Sequence, residues 1–268
     1  MQISVVISTY NSPKWLEKVL WGYVKQSIED FEVIVADDGS GPETKALIES
    51  FQQNQGLSLK HAWHEDDGFR KCEIMNKAIQ MAETDYLVFS DGDCIPRSDF
   101  LEKHLLHRKP GRFLSGGYCK MSMETSQAIT KEMIQSGEAF DPLRLESLGL
   151  KRKFFAKHNA TGVKAVILNA LTTTSPTWNG HNASAWKKDI LAINGFDERM
   201  VYGGEDREFG ERLHNSGING KQIRYSAVCL HLDHPRGYVT REGIDFNKSI
   251  RRETRSSKTV RTAHGIEK

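Results

Sequence analysis

The segment Asp91-Gly92-Asp93 sets two carboxylates one residue apart, directly after the short apolar run Tyr86 to Phe89. Carboxylate oxygens are natural ligands of hard divalent cations, and such cations commonly share their shell with substrate phosphates. The chemistry this pattern offers is a metal–diphosphate site. Asp and Gly also favour turns, so a plain turn is the competing reading. A second acidic pair, Glu205-Asp206, follows Gly203-Gly204. Acids in a first helical turn can serve the macrodipole alone, but a glycine pair before them lets a substrate approach the backbone closely. Further on, His231-Leu232-Asp233-His234 ends the apolar run Ile223 to Leu230. An imidazole there could complete the coordination begun by Asp93; two surface histidines ahead of Pro235 are the alternative.

Other polar side chains could read a nucleotide or a sugar. Asp38, at the end of an apolar run, could accept from a base N–H or from ribose hydroxyls, or close an Asx-turn; Asp67 carries the same ambiguity. Arg70 and Lys71 stand where a helix begins and could bind phosphate. The stretch Trp178-Asn179-Gly180-His181-Asn182 combines an aromatic with amides that both donate and accept, the usual equipment for sugar hydroxyls and ring faces. A loop around a buried Trp is the bland reading.

The elements that must position these residues follow from periodicity. Strands are expected to begin near positions 3, 31, 57 and 85, each followed by a helix, which predicts an α/β protein with a mostly parallel sheet and right-handed crossovers. Tyr86 to Phe89 lacks polar alternation, as suits a strand buried on both faces. Pro13 and Pro42 fit first helical positions, with Ser12 a candidate cap. Each strand ends in a polar loop, and these loops gather along one sheet edge, where open α/β sheets bind ligands. The expected layout is one domain over 1–247: a nucleotide-binding half (1–117), an insertion or lid (118–175) holding the basic-aromatic Lys151 to Phe155, and an acceptor-side catalytic half (176–247).

Composition sets outer bounds. The chain has 268 residues, 38% hydrophobic and 27% charged, with a net charge of +2, which argues against a general nucleic-acid binder. No apolar run approaches the ~20 residues needed to span a bilayer, and no signal-peptide pattern follows Met1. The four cysteines show no paired metal-ligand spacing and fit reduced thiols, so cytoplasmic residence is expected. From Lys248 onward Arg251, Arg252, Arg255, Lys258 and Arg261 face few acids, which predicts a solvated basic tail. The alternative for this tail is a peripheral contact with anionic headgroups at the inner membrane.

Taken together, Ser8-Thr9-Tyr10-Asn11, Asp37-Asp38-Gly39-Ser40 and Ser90-Asp91-Gly92-Asp93 resemble, in order and spacing, the motifs of the family 2 glycosyltransferases, which have the GT-A nucleotide-diphospho-sugar transferase fold. Gly180-His181-Asn182, Gly195-Phe196-Asp197 and Gly203-Gly204-Glu205-Asp206 are similar to the galactosyltransferase-type motif of chondroitin-polymerase-like and β-1,4-galactosyltransferase-like enzymes. The resemblance spans roughly 1–235, apart from 120–171. It implies that Thr9, Tyr10, Asn11, Asp38, Asp67 and Arg70 hold a nucleoside diphosphate, most simply uridine. It implies that Asp91, with Gly92 beside it, faces the donor directly or through the metal, and that Asp93 binds Mn²⁺ or Mg²⁺ with His231, His234 being the second choice. Trp178, Asn179 and Asn182 would position sugars, Asp206 would be the base of an inverting displacement, and Glu205 would contact sugar hydroxyls. The implied reaction moves a hexose or N-acetylhexosamine from a UDP-sugar to a saccharide or glycolipid acceptor, as in bacterial surface polysaccharide or lipopolysaccharide assembly. Two rivals from other classes stand beside it: a non-catalytic nucleotide-sugar or glycan-binding module on the same fold, and a metal-dependent phosphohydrolase. The latter would need ligands for two metals or a phosphorus nucleophile.

Overall fold

The computed structural model describes residues 1–150, 160–235 and 239–268; Lys151 to Phe155 lies outside them. Four βα units open the chain. Strand β1 (Ile3–Thr9) leads to α1 (Pro13–Val24), β2 (Phe31–Asp37) to α2 (Pro42–Asn54), β3 (Leu59–Trp63) to α3 (Lys71–Met81), and β4 (Tyr86–Asp91) follows. Pro13 and Pro42 do occupy the first turns of their helices, while Ser12 makes no side-chain cap bond. The next elements are β5 (Cys94–Pro96), α4 (Phe100–His107), β6 (Arg112–Ser115) and β7 (Gly117–Lys120). Short helices α5 (Met123–Ala128), α6 (Lys131–Ser136) and α7 (Pro142–Ser147) follow, then α8 (Gly162–Leu171). The C-terminal part holds β8 (Asn182–Trp186), α9 (Lys187–Ala192), α10 (Glu205–Asn215), β9 (Asn219–Gln222), β10 (Val228–His231) and α11 (Arg241–Ser256).

The large sheet has the order β3-β2-β1-β4-β8-β6-β9, and β5-β10-β7 form a smaller one. Strands β1 to β4 pair in parallel, and β8 runs antiparallel between β4 and β6. Alternate residues of the buried strands feed two cores. Val5, Ile7, Val33, Val35 and Val88 pack on one face, and Val6, Ile34, Ala36, Leu87 and Phe89 on the other. Double-sided burial explains why these strands read as unbroken apolar runs. The chain leaves β1 toward β2 on one side but has β4 on the other, so the crevice between the ends of β1 and β4 is the topological switch point.

Two expectations change. The region after Lys120 is not merely a lid: Ile129, Met133, Ile134 and Leu145 are buried in the first core, and Lys18 Nζ donates to the Ser126 carbonyl at 2.7 Å. The basic segment from Lys248 is not a solvated tail. It continues α11, whose Asn247, Ile250 and Thr254 are buried at helical spacing. Thr254 Oγ1 donates to Glu208 at 2.9 Å, Arg251 pairs with Glu211 at 2.6 Å, and Thr262 Oγ1 donates to Asp197. Specific polar partners replace the apolar area whose scarcity suggested a solvated segment. The buried Arg212–Glu208 pair (2.8 Å) on α10 anchors this docking, since such a pair is costly unless each group is satisfied.

Candidate active site

The ends of β1 and β4 meet closely. The Gly92 N–H donates to the Ser8 carbonyl at 2.7 Å, and a Cβ on Gly92 would lie 2.9 Å from Thr9 Oγ1. Only glycine lets the Asp91-Gly92-Asp93 turn sit this near β1. The turn opens into a cavity of ≈ 720 Å³ that runs from Thr9, Asn11 and Asp38 past Asp91 and Asp93 to Glu205, Asp206 and His231. That size suits one nucleotide-sized ligand.

Asp91 accepts from Ser8 Oγ at 2.6 Å and from Lys71 Nζ at 3.0 Å. Burial opposes its ionisation, but Lys71 and Ser8 outweigh burial and hold its carboxyl below the ordinary range. Across the cavity Asp206 lies in the first turn of α10, which follows Gly203 and Gly204 in left-handed conformations at φ +106° and +100°. Burial, then the neighbouring Glu205, push the Asp206 carboxyl up to about 7, against the pull of Lys71. Asp206 Oδ1 is buried with no hydrogen-bond partner among the described residues. Glu205 is pinned by the Gly203 N–H at 2.8 Å. Burial alone would lower the Lys71 ammonium, but Asp91, Asp206 and Glu205 together raise it well above its ordinary value. Lys71 is therefore a fixed positive charge between the two acid pairs.

Asp93 lies beside both histidines, with His234 Nε2 at 3.1 Å and His231 Nε2 at 3.9 Å. Donor atoms of Asp93, Cys94 and His231 fall within 4.8 Å of one another. Burial raises the Asp93 carboxyl, with His231 pulling it down and Asp91 pushing it up. His231 Nδ1 is buried and unpaired among the described residues, as are Thr9 Oγ1 and Asn179 Oδ1. Buried polar atoms left open around one cavity point to a ligand that satisfies them. A carboxylate with imidazole donors fits a divalent cation. His234 is nearer Asp93 than His231, so geometry does not separate the pair in favour of His231.

The other expected residues divide. Thr9, Tyr10, Asn11, Asp38, Asp91, Gly92 and Asn179 border the cavity. Asp38 is already engaged by His64 Nε2 at 2.8 Å and the Arg70 N–H at 3.1 Å. Burial raises its carboxyl despite His64. Arg70 is turned away: its guanidinium forms two bonds to Glu73, at 3.0 and 2.6 Å. Asp67 is exposed and outside the cavity lining. Arg70 is the N-cap residue, outside the helix, and its side chain pairs with Glu73, whereas Lys71 is the first residue of α3 and reaches Asp91. Trp178 and Asn182 are also corrected. Trp178 borders the cavity but is fully buried among Phe89, Phe113 and Phe209, so its ring packs as core. Asn182 is fully buried and donates to the Gly117 and Ala227 carbonyls while facing His104; it ties β8 of the large sheet to the small one. Ser8 and Lys71 had no decisive sequence signal, although a lysine at a helix start after a strand was a weak one.

Comparison with known proteins agrees with this arrangement. Residues 4–174 match glycosyl transferase family 2, and residues 169–235 match the family described as the N-terminal domain of galactosyltransferase. The chain belongs to glycosyl transferase family 2. It is 28% identical to an uncharacterized glycosyltransferase, YfnE, of Bacillus subtilis, covering 92% of this chain and 69% of that one. It is 28% identical to validoxylamine A glucosyltransferase of Streptomyces hygroscopicus (81% and 52%) and 25% identical to chondroitin synthase of Escherichia coli (87% and 35%). The chain thus spans about half or less of these last two. Among solved structures, S. aureus TarS 1–349 in complex with UDP-GlcNAc superposes with TM-score 0.62 at 18% identity, covering 89% of this chain and 60% of that one. The mannosyltransferase PcManGT of Pyrobaculum calidifontis, in complex with GDP-Man and Mn²⁺, gives 0.59 at 19% (88% and 58%). These neighbours establish the GT-A fold.

Proposed function

We propose that this chain transfers a hexose or N-acetylhexosamine from a UDP-sugar to a saccharide or glycolipid acceptor with inversion, in bacterial surface polysaccharide or lipopolysaccharide assembly, using Mn²⁺ or Mg²⁺. The observation that carries the reading is Asp206, a cavity carboxyl pushed up to about 7 with an open, buried Oδ1. A general base works best with its pKa near the operating pH. A binding module gains nothing from such a group, and the described residues show one compact metal cluster, not the two-metal set of a phosphohydrolase. The donor sugar is narrowed only by likeness: TarS is solved with UDP-GlcNAc, and chondroitin synthase is a relative.

Asp91 and Asp93, with His231 or His234, would hold the cation, which when bound supplies positive charge against the donor diphosphate. Lys71 adds a second, permanent charge on the same side. Thr9, Asn11 and Asp38 hold the nucleoside in the crevice at the end of β1. Asp206 takes the proton from the acceptor hydroxyl as its oxygen bonds to the anomeric carbon. The bond from that carbon to the diphosphate oxygen breaks on the opposite face, and its electrons leave with the nucleotide. Glu205, fixed by Gly203, orients sugar hydroxyls.

The test is calorimetry of UDP, GDP, CDP and TDP, then their sugars, with Mn²⁺ or with EDTA. Metal-dependent binding of UDP that vanishes in Asp93→Ala is expected. Binding that survives both EDTA and the substitution would remove Asp93 from the metal site. A product that keeps the donor's α configuration, read from the anomeric NMR coupling, would exclude inversion.

A further inference from the structure

Helix α8 meets solvent mainly through apolar side chains, with Lys164 exposed among them. Val163, Val166, Ile167 and Leu171 are 75%, 55%, 51% and 72% exposed, and their spacing places them on one helical face. Ala165 is buried behind them. The C-terminal end of α8 is fastened to the 222–226 segment: Asn169 Nδ2 donates to Ser226 Oγ at 2.8 Å, the Tyr225 N–H donates to Asn169 Oδ1 at 2.9 Å, and Arg224 bonds Thr174. The same Ser226 hydroxyl meets His107 Nε2 at 3.2 Å.

Around this junction lies a set of cations with no carboxylate partner among the described residues. Lys221 on β9 pairs with Leu114, two residues along β6 from Arg112, and both Arg112 and Lys109 repel it. Arg224 follows, and none of the four forms a salt bridge among the described residues. Like charges gathered without acids cost free energy unless an anionic partner meets them. The C-terminal end of α8 is tied to Arg224, Tyr225 and Ser226 just beyond β9, so the stripe ends beside these cations at the β9 edge of the large sheet.

We propose that this flank seats the protein on an anionic lipid surface, with the α8 stripe in the headgroup–acyl boundary and Lys109, Arg112, Lys221 and Arg224 on the headgroups. An exposed apolar stripe beside a cationic band is what interfacial binding uses, area and charge acting together. A second copy fits poorly, because a two-fold contact through this flank would set its cations against themselves. The C-terminal segment fits less well, since Arg251 is already paired with Glu211.

The experiment is co-sedimentation of the full chain with vesicles of phosphatidylcholine alone or with roughly a third phosphatidylglycerol, at low and at ~0.15 M salt. Binding only to anionic vesicles is expected. It should fall at least about tenfold in Val166→Asp/Ile167→Asp and about fivefold per charge in Lys109→Glu and Lys221→Glu, and be unchanged in Arg252→Glu. These side chains are exposed, and retained thermal unfolding and UDP binding show that each variant is folded. No binding to anionic vesicles at low salt overturns the proposal. So does binding that the α8 and cation variants leave intact, or self-association in sedimentation velocity that Val166→Asp/Ile167→Asp abolishes without vesicle binding.

Discussion

Asp91 and Asp206 line the same cavity and feel the same lysine, yet their carboxyls are pushed in opposite directions. Asp91 touches Lys71 directly and accepts from Ser8, so it stays ionised. Asp206 has Glu205 as its neighbour, and its carboxyl rises to about 7. Two carboxylates separated in this way can take different jobs, one holding charge and the other moving a proton. In the proposed reaction the β4 end of the crevice binds and the α10 end reacts.

The largest expected effect comes from removing the reacting end. Asp206→Asn should lower kcat by about 10²–10⁴-fold, measured as acceptor-dependent glycosidic product. Removing the binding end comes next: Asp93→Ala should weaken metal-dependent UDP binding by about 10–100-fold, measured by calorimetry with Mn²⁺. Lys71→Met breaks the contrast itself. Lys71 pulls the Asp206 carboxyl down, so its loss should move the acid limb of the kcat–pH profile to higher pH. Linkage gives a quieter signature. The folded-state pKa of Asp206 is raised above that of the unfolded chain, so its contribution to stability falls as pH rises from about 4 to about 7. Asp206→Asn should therefore gain thermal stability over the parent near pH 8, and the gain should disappear near pH 4. The smallest effect belongs to Gly180→Ala. The added Cβ would lie 2.6 Å from Asp206 Oδ1, so kcat should drop about tenfold with UDP binding unchanged.

The strand ends were legible in the sequence because double-sided burial leaves runs such as Val33 to Ala36 without polar alternation, each closed by an Asp or Gly loop. The Asp91-Gly92-Asp93 and Glu205-Asp206 pairs were legible for the same reason: they interrupt a pattern. What stayed hidden depends on side-chain direction. Nothing in the order Arg70-Lys71 says which cation Glu73 will capture and which will reach Asp91. Trp178 and Asn182 looked like sugar contacts because aromatics and amides serve that role, but the same types also fill cores and bridge sheets. The Lys248–Lys268 segment misled because its inward residues Thr254 and Thr262 are polar and are satisfied by partners distant in sequence.

The measurement that tests the division of labour most directly is calorimetry of UDP with Mn²⁺ on Asp206→Asn, beside a turnover assay of the same sample. The account predicts UDP affinity within about threefold of the parent, with product formation lost. Loss of UDP binding as severe as in Asp93→Ala, or turnover that persists in Asp206→Asn, would contradict it.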